Sequence, residues 1–216
     1  MSQSEQIVVG VDVGGKRKGF HAVALRGNCC IDKLSTPSAS AIVDWCQQNQ
    51  AVAVGVDAPC QWSLTGRARP AERALMNEGI WCFATPTLEM AKTHPKDNYG
   101  WMLAGAELFS LLKAHYRLFD GQPIDSDPVC FETFPQAVAC ALAGKTISAK
   151  RKSSVRRKLL SDMGIDTTIL PNIDFVDAAL CAVTAQSLLD GNCHNYGESL
   201  EGFFVVQKFQ ASIDLP

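Results

Sequence analysis

Two short runs, Val9-Gly-Val-Asp12 and Val54-Gly-Val-Asp57, constrain this chain more than any other feature. Each closes a near-continuous apolar stretch of strand formers, 6–15 in the first case and 51–56 in the second, and each ends on a carboxylate. Apolar strands of this kind belong in the middle of a sheet covered by helices on both faces. In such sheets ligands bind beyond the carboxyl ends of the strands, so parallel neighbours would place Asp12 and Asp57 at one site. Gly14 and Gly15 follow the first acid and permit tight backbone and close approach of a ligand. Pro59 stops the second strand two residues after its acid. The plain alternative for Asp12, a turn cap, accounts for one such strand but less well for two.

The rest of the chain supplies the covering layers. The polar turn Lys16-Arg17-Lys18 leads to strands at 19–25 and 29–34, which make an antiparallel meander with the first strand. A helix follows at 38–48, with Ala41, Ile42, Trp45 and Cys46 at helical spacing and Ser38 or Ser40 as its cap. Residues 61–118 break the alternation and read as a mainly helical insertion over the carboxyl edge of the sheet, closing with a helix at 101–116. A fifth strand at 129–134 carries Glu132, which must meet a cation or hydrogen-bond donors if it is buried. Pro135 opens a helix that ends at Gly144, and another ends near Met163-Gly164. The apolar helix from 172 to 185 holds Asp174 and Asp177 in its first turns, an i, i+3 pair on one face near the positive helix end. A last strand occupies 202–207. With 216 residues and no flexible linker, the chain is expected to be a single domain with the 61–118 insertion inside it.

Asp12, Asp57, Glu132 and Asp177 therefore sit at special places on apolar elements, with Asp174 beside the last. Gathered together they would repel one another, and Mg2+ or Mn2+ resolves the conflict because hard divalent ions prefer carboxylate oxygen. Two such ions about 3.5–4 Å apart activate water and stabilise the leaving oxygen in phosphodiester cleavage. The four histidines show no paired spacing for zinc. A net charge of -2 gives no global pull towards a polyanion, so any such site is local. Its candidates are Arg67, Arg69 and Arg73 of the insertion, as planar forks for phosphate, and Lys150, Arg151 and Lys152 of the one basic cluster. The alternatives are solvated pairs of the arginines with Glu72 and Glu78, and an exposed helix face for the basic cluster. Nine scattered cysteines, an odd number mostly in apolar segments, read as reduced thiols of a cytoplasmic protein. Cys60 is near enough to Asp57 in sequence to stay open as a nucleophile. No signal peptide precedes Ile7 and no uncharged run reaches about 18 residues, so neither secretion nor a membrane span is expected.

The order of elements resembles the ribonuclease H-like fold: a mixed five-stranded α/β sheet flanked by helices, with a helical insertion after the fourth strand. More narrowly, Gly10-Val-Asp12 with Gly19-Phe, Val56-Asp-Ala-Pro59, Arg73 with Thr85-Pro86, Phe131-Glu-Thr-Phe-Pro135 and Ile173-Asp-Phe-Val-Asp-Ala-Ala-Leu-Cys-Ala182 are similar to the predicted-nuclease family catalogued as domain of unknown function 429. The resemblance covers essentially the whole chain, and its most specific motif is the acid leading an alanine-rich helix. It implies a metal-dependent nuclease core of Asp12, Asp57, Glu132 and Asp177, with Asp174 a neighbouring ligand. One departure stands out. The ribonuclease H pattern has a glutamate on its first helix, where this chain offers only Asp44, and Glu132 is the expected replacement. Two other readings stay open, a non-catalytic binding module and a small actin-like phosphotransferase. The choice between DNA and RNA, and between monomer and homodimer, is open as well.

Overall fold

The computed structural model describes residues 6–15, 17–124 and 126–208, so Lys16 of the expected polar turn lies outside the described residues. Strands β1 (Ile7–Val13), β2 (Phe20–Arg26) and β3 (Cys29–Thr36) form the meander, followed by α1 (Ala39–Gln48) and β4 (Ala53–Asp57). Ser38 caps α1, its hydroxyl accepting from the Ala41 N–H. Residues 61–118 contribute α2 (Pro70–Asn77), α3 (Leu88–Thr93), α4 (Gly100–Leu112) and the short β5 (Arg117–Leu118). The chain continues through β6 (Val129–Glu132), α5 (Pro135–Leu142), α6 (Lys152–Asp162), a short 3-10 turn, α7 (Ile173–Leu189), β7 (Cys193–Glu198) and β8 (Gly202–Gln207).

Sheet order is β3-β2-β1-β4-β6-β8-β7, with β5 also paired to β6. β2 runs antiparallel to β1, whereas β1, β4 and β6 are mutually parallel. The meander of the first three strands and the parallel pairing of the two acid-bearing strands are as expected from the sequence. The sheet is larger than five strands: the last strand expected at 202–207 is β8, which shares the far edge of β6 with the unexpected β5, and β7, also unexpected, closes on β8. β7 has a mostly exposed sequence, Cys-His-Asn-Tyr-Gly-Glu, with no apolar alternation to announce it.

Each face of the sheet carries its own core. On one face Val8, Val23, Ala53, Val129 and Phe131 pack under α5, α6 and α7; on the other Val9, Val11, Val54, Val56 and Cys130 pack under α1 and α4. The repeated glycine of the two Val-Gly-Val-Asp runs brings α7 down onto the strands. A Cβ at Gly10 would lie 2.0 Å from the Ala178 carbonyl oxygen, and one at Gly55 would lie 2.7 Å from that of Cys181. Only glycine admits a helix backbone this close. On the helix side the matching residues are small, with Ala178, Ala182 and Ala185 completely buried. Among the described residues no helix is long and apolar enough to cross a membrane.

Candidate active site

Register decides which acids meet. Asp12 and Asp57 are direct partners across the parallel β1 and β4 pair, so both side chains leave the same face at the same carboxyl edge. That face is the one Gly10 and Gly55 present to α7, two residues earlier on each strand. Asp177 lies one helical turn before Cys181 on α7, and so stands over the two strand ends rather than over their middle. Asn172, not Asp174, caps α7, its side chain accepting from the Phe175 N–H. Asp174 is left to accept from Lys18 Nζ at 2.8 Å. Asp177 accepts from Arg156 Nη1, a buried ion pair, and from Lys152 Nζ at 3.4 Å.

The acids act on one another electrostatically. Burial, reinforced by Asp177 and Asp174, pushes the Asp12 carboxyl up to about 7 against the pull of Lys18 and Lys152. Burial is also the main reason that Asp57 lies well above the ordinary carboxylate range, followed by Asp12 and Asp177, with Arg156 and Lys152 opposing. Asp12 is thus within electrostatic reach of Asp174 and Asp177, and Asp57 of Asp12 and Asp177; the ion pairs go to Asp174 and Asp177, and among the described residues Asp12 and Asp57 share none.

Glu132 does not join them, which corrects the expectation from sequence. It is the register partner of Val56, one residue short of Asp57, and therefore points to the opposite face. There it meets Arg69, which donates through Nη2 at 2.6 Å and Nη1 at 3.0 Å, and the Cys60 N–H at 2.8 Å. Arg69 is fully buried and also donates through Nε to Glu72 at 2.9 Å. It is a structural cation rather than a fork open to substrate, a second correction. Burial works against its charge, but Glu132 and Glu72 outweigh that and hold the guanidinium above its usual range. Glu72 is further bound by the Thr85 N–H and hydroxyl. Arg67 and Arg73 are exposed, and Arg73 donates to the Ala68 carbonyl. Burial and Glu132 push the Cys60 thiol well above its ordinary value, which disfavours it as a nucleophile.

Residues 10–201 match the family described as "Protein of unknown function (DUF429)". The chain belongs to this family. No curated protein matches it. Among solved structures, this DUF429 chain is similar to one described as T. thermophilus RuvC in complex with Holliday junction substrate, at 18% identity and a TM-score of 0.43, over 86% of this chain and 96% of that one.

Several residues of this DUF429 member enter the site without a signal that the sequence reading used. His21 is the cross-strand partner of Asp12, buried edge-on against Phe175, and its Nδ1 has no partner. Burial lowers its pKa, offset in part by Asp174. Thr133 is completely buried, and its Oγ1 also lacks a partner; it lines a cleft with Asp57. Arg156 forms an i, i+4 pair with Leu160 on the buried side of an otherwise basic helix. Its Nε is likewise unpaired, while Nη2 donates to Gln136 at 2.9 Å. Buried polar atoms without partners are uncommon in folded proteins, and here three of them flank the acids.

As the side chains stand, no three His, Cys, Asp or Glu residues among the described ones are close enough to enclose a metal ion. Lys18, Lys152 and Arg156 occupy the carboxylates of α7 instead. The donor chemistry nonetheless suits a hard divalent cation: all-carboxylate oxygen, and two acids whose protonation is favoured first by burial and then by neighbouring acids.

Proposed function

We propose that the protein is a Mg2+- or Mn2+-dependent nuclease that hydrolyses phosphodiester bonds at the Asp12, Asp57 and Asp177 cluster. One observation carries this reading. Two acids are register partners at the carboxyl ends of adjacent parallel strands, and both are held out of their ordinary ionisation range, first by burial and then by neighbouring acids: Asp177 on the helix above and Asp174 act on Asp12, and Asp12 and Asp177 act on Asp57. Acids are arranged against one another in this way where function needs them, since the fold gains nothing from it. With Glu132 committed to Arg69, the remaining oxygen donors are Asp12, Asp57, Asp177 and, beside them, Asp174. A bound divalent ion supplies Lewis acidity towards a phosphodiester and a source of hydroxide near neutral pH.

The chain's own residues do the rest. Lys152 and Arg156 balance Asp177, and Lys18 balances Asp174, so the acids tolerate one another before cation and substrate arrive. Lys150 and Arg151, exposed at the start of the same segment, are placed to meet a phosphate backbone. The unpaired cysteines suit a reducing, cytoplasmic setting.

The experiment is a panel of labelled DNA and RNA substrates with Mn2+, comparing wild type with Asp12→Asn and Asp177→Asn. Cleavage lost by at least about a hundredfold in both variants is expected. Undiminished cleavage in Asp12→Asn would remove Asp12 from the mechanism, and no cleavage of any substrate by wild type would sink the nuclease reading.

A further inference from the structure

The segment between α2 and α3 leaves two aromatic rings in solvent: Trp81 is 78% exposed and Phe83 81%. They stand two residues apart in backbone that is neither helix nor strand. Each borders a different cleft, and the Phe83 cleft reaches Asp57. Phe83, with Trp101 and Phe134, lines the one that contains Asp57 and the unpartnered Thr133, and that the Arg69, Glu72 and Glu132 network also borders. Trp81 lines the other, with Gln136 and residues 146–149. Thr146 donates to the Glu78 carbonyl at 3.3 Å and so ties the two loops together. From that second cleft the chain passes directly into Lys150, Arg151 and Lys152, all exposed. Lys152 reaches Asp177, and Gln136 accepts from Arg156, which holds the same acid.

We propose that Trp81 and Phe83 form a stacking platform for unpaired nucleobases of a single strand whose phosphates meet Lys150, Arg151 and Lys152. The inference rests on the nuclease reading and names its substrate class: nucleic acid that is unstacked beside the bond to be cut. The physical argument has two parts. A flat exposed ring covers any base face without regard to sequence, and a continuous duplex keeps those faces stacked inside, out of reach. An apolar protein partner would gain from the rings but nothing from three adjoining cations, whereas a strand with a charged backbone gains from both.

The test separates binding from cleavage. In EDTA, the anisotropy of a dye-labelled single strand and of a hairpin duplex of the same length is titrated with wild type, Trp81→Ala, Phe83→Ala and a Lys150→Ala, Arg151→Ala double variant. Wild type is expected to prefer the single strand. Each ring removal is expected to weaken that binding by about fivefold or more, with the thermal midpoint unchanged because both rings are exposed. The double cation variant is expected to flatten the salt dependence by about one unit of slope for each phosphate that is no longer neutralised. Equal affinity of wild type for both substrates, or unchanged single-strand binding in both ring variants, would overturn the platform. The same strands are then incubated with Mn2+. Cleavage that needs Asp12 but ignores both rings removes the platform and leaves the nuclease reading; ring-dependent binding without cleavage leaves the platform and removes the nuclease.

Discussion

Two groups of carboxylates lie at the carboxyl edge of one sheet, Glu132 pointing to the face opposite Asp12 and Asp57, and they are unlike in one respect. On one face Glu132 and Glu72 close on Arg69, with the Cys60 and Thr85 backbone N–H groups completing their coordination. On the other, Asp12 and Asp57 face Asp177 across a gap, and burial drives Asp12 up to about 7. Both arrangements put acids where solvation is poor. The first supplies enough donors to keep its charges and so pins the insertion, through Arg69 at the start of α2, to the strand end at Glu132. The second withholds them. An acid fully satisfied within the chain is scaffold, whereas a cluster held short of counter-charge is poised for something from outside.

The contrast is most easily broken at Arg69. Arg69→Ala leaves two buried glutamates without their cation and is expected to cost about 3–5 kcal/mol of stability, read by urea unfolding. A cost under about 1 kcal/mol would mean that the network does not tie the insertion down.

On the other face the expected sign reverses. Native Asp12 keeps its proton up to about 7, whereas the unfolded chain releases it near 3.8, so between these values the native state binds more protons. Stability falls as pH rises through that window, and the cost is fully present above it. In EDTA at pH 8, Asp12→Asn is therefore expected to be more stable than wild type by about 1–3 kcal/mol, with the gap closing towards pH 4. A variant less stable than wild type at pH 8 would show that the cluster is satisfied after all.

Divalent cations sharpen the same difference by a comparable or smaller amount. Mn2+ at about a hundred times its dissociation constant should add about 2.7 kcal/mol to wild type. It should add markedly less to Asp12→Asn and leave the Arg69 network untouched, as differential scanning calorimetry would show. The smallest effect is expected at Arg67 and Arg73. These lie outside both clusters, and their replacement by Ala should change stability by no more than about 0.5 kcal/mol and leave strand binding as it was.

Much of the site was legible before the fold. The two Val-Gly-Val-Asp strands, the acid that leads an alanine-rich helix and the helical insertion are statements of local pattern, and β1, β4 and α7 follow them closely. Glu132 was not legible, because an apolar strand with one acid near its end reads the same on either face. His21 was missed for a related reason: its partnership with Asp12 depends on the length of the 14–19 turn, which sets the hairpin register. Arg156 belongs to a run of basic residues that reads as an exposed helix face, and only packing shows that it is buried with Leu160. β7 offered no apolar alternation at all and exists because β8 presents it an edge.

The sequence by itself determined that acids would stand at the ends of buried parallel strands, since strand propensity and glycine placement are local properties of the chain. Only the tertiary structure decided which of them share a site. Side chains alternate faces at every residue, so a pairing offset of a single position sends Asp57 to the helix with Asp177 and Glu132 to the arginine behind it.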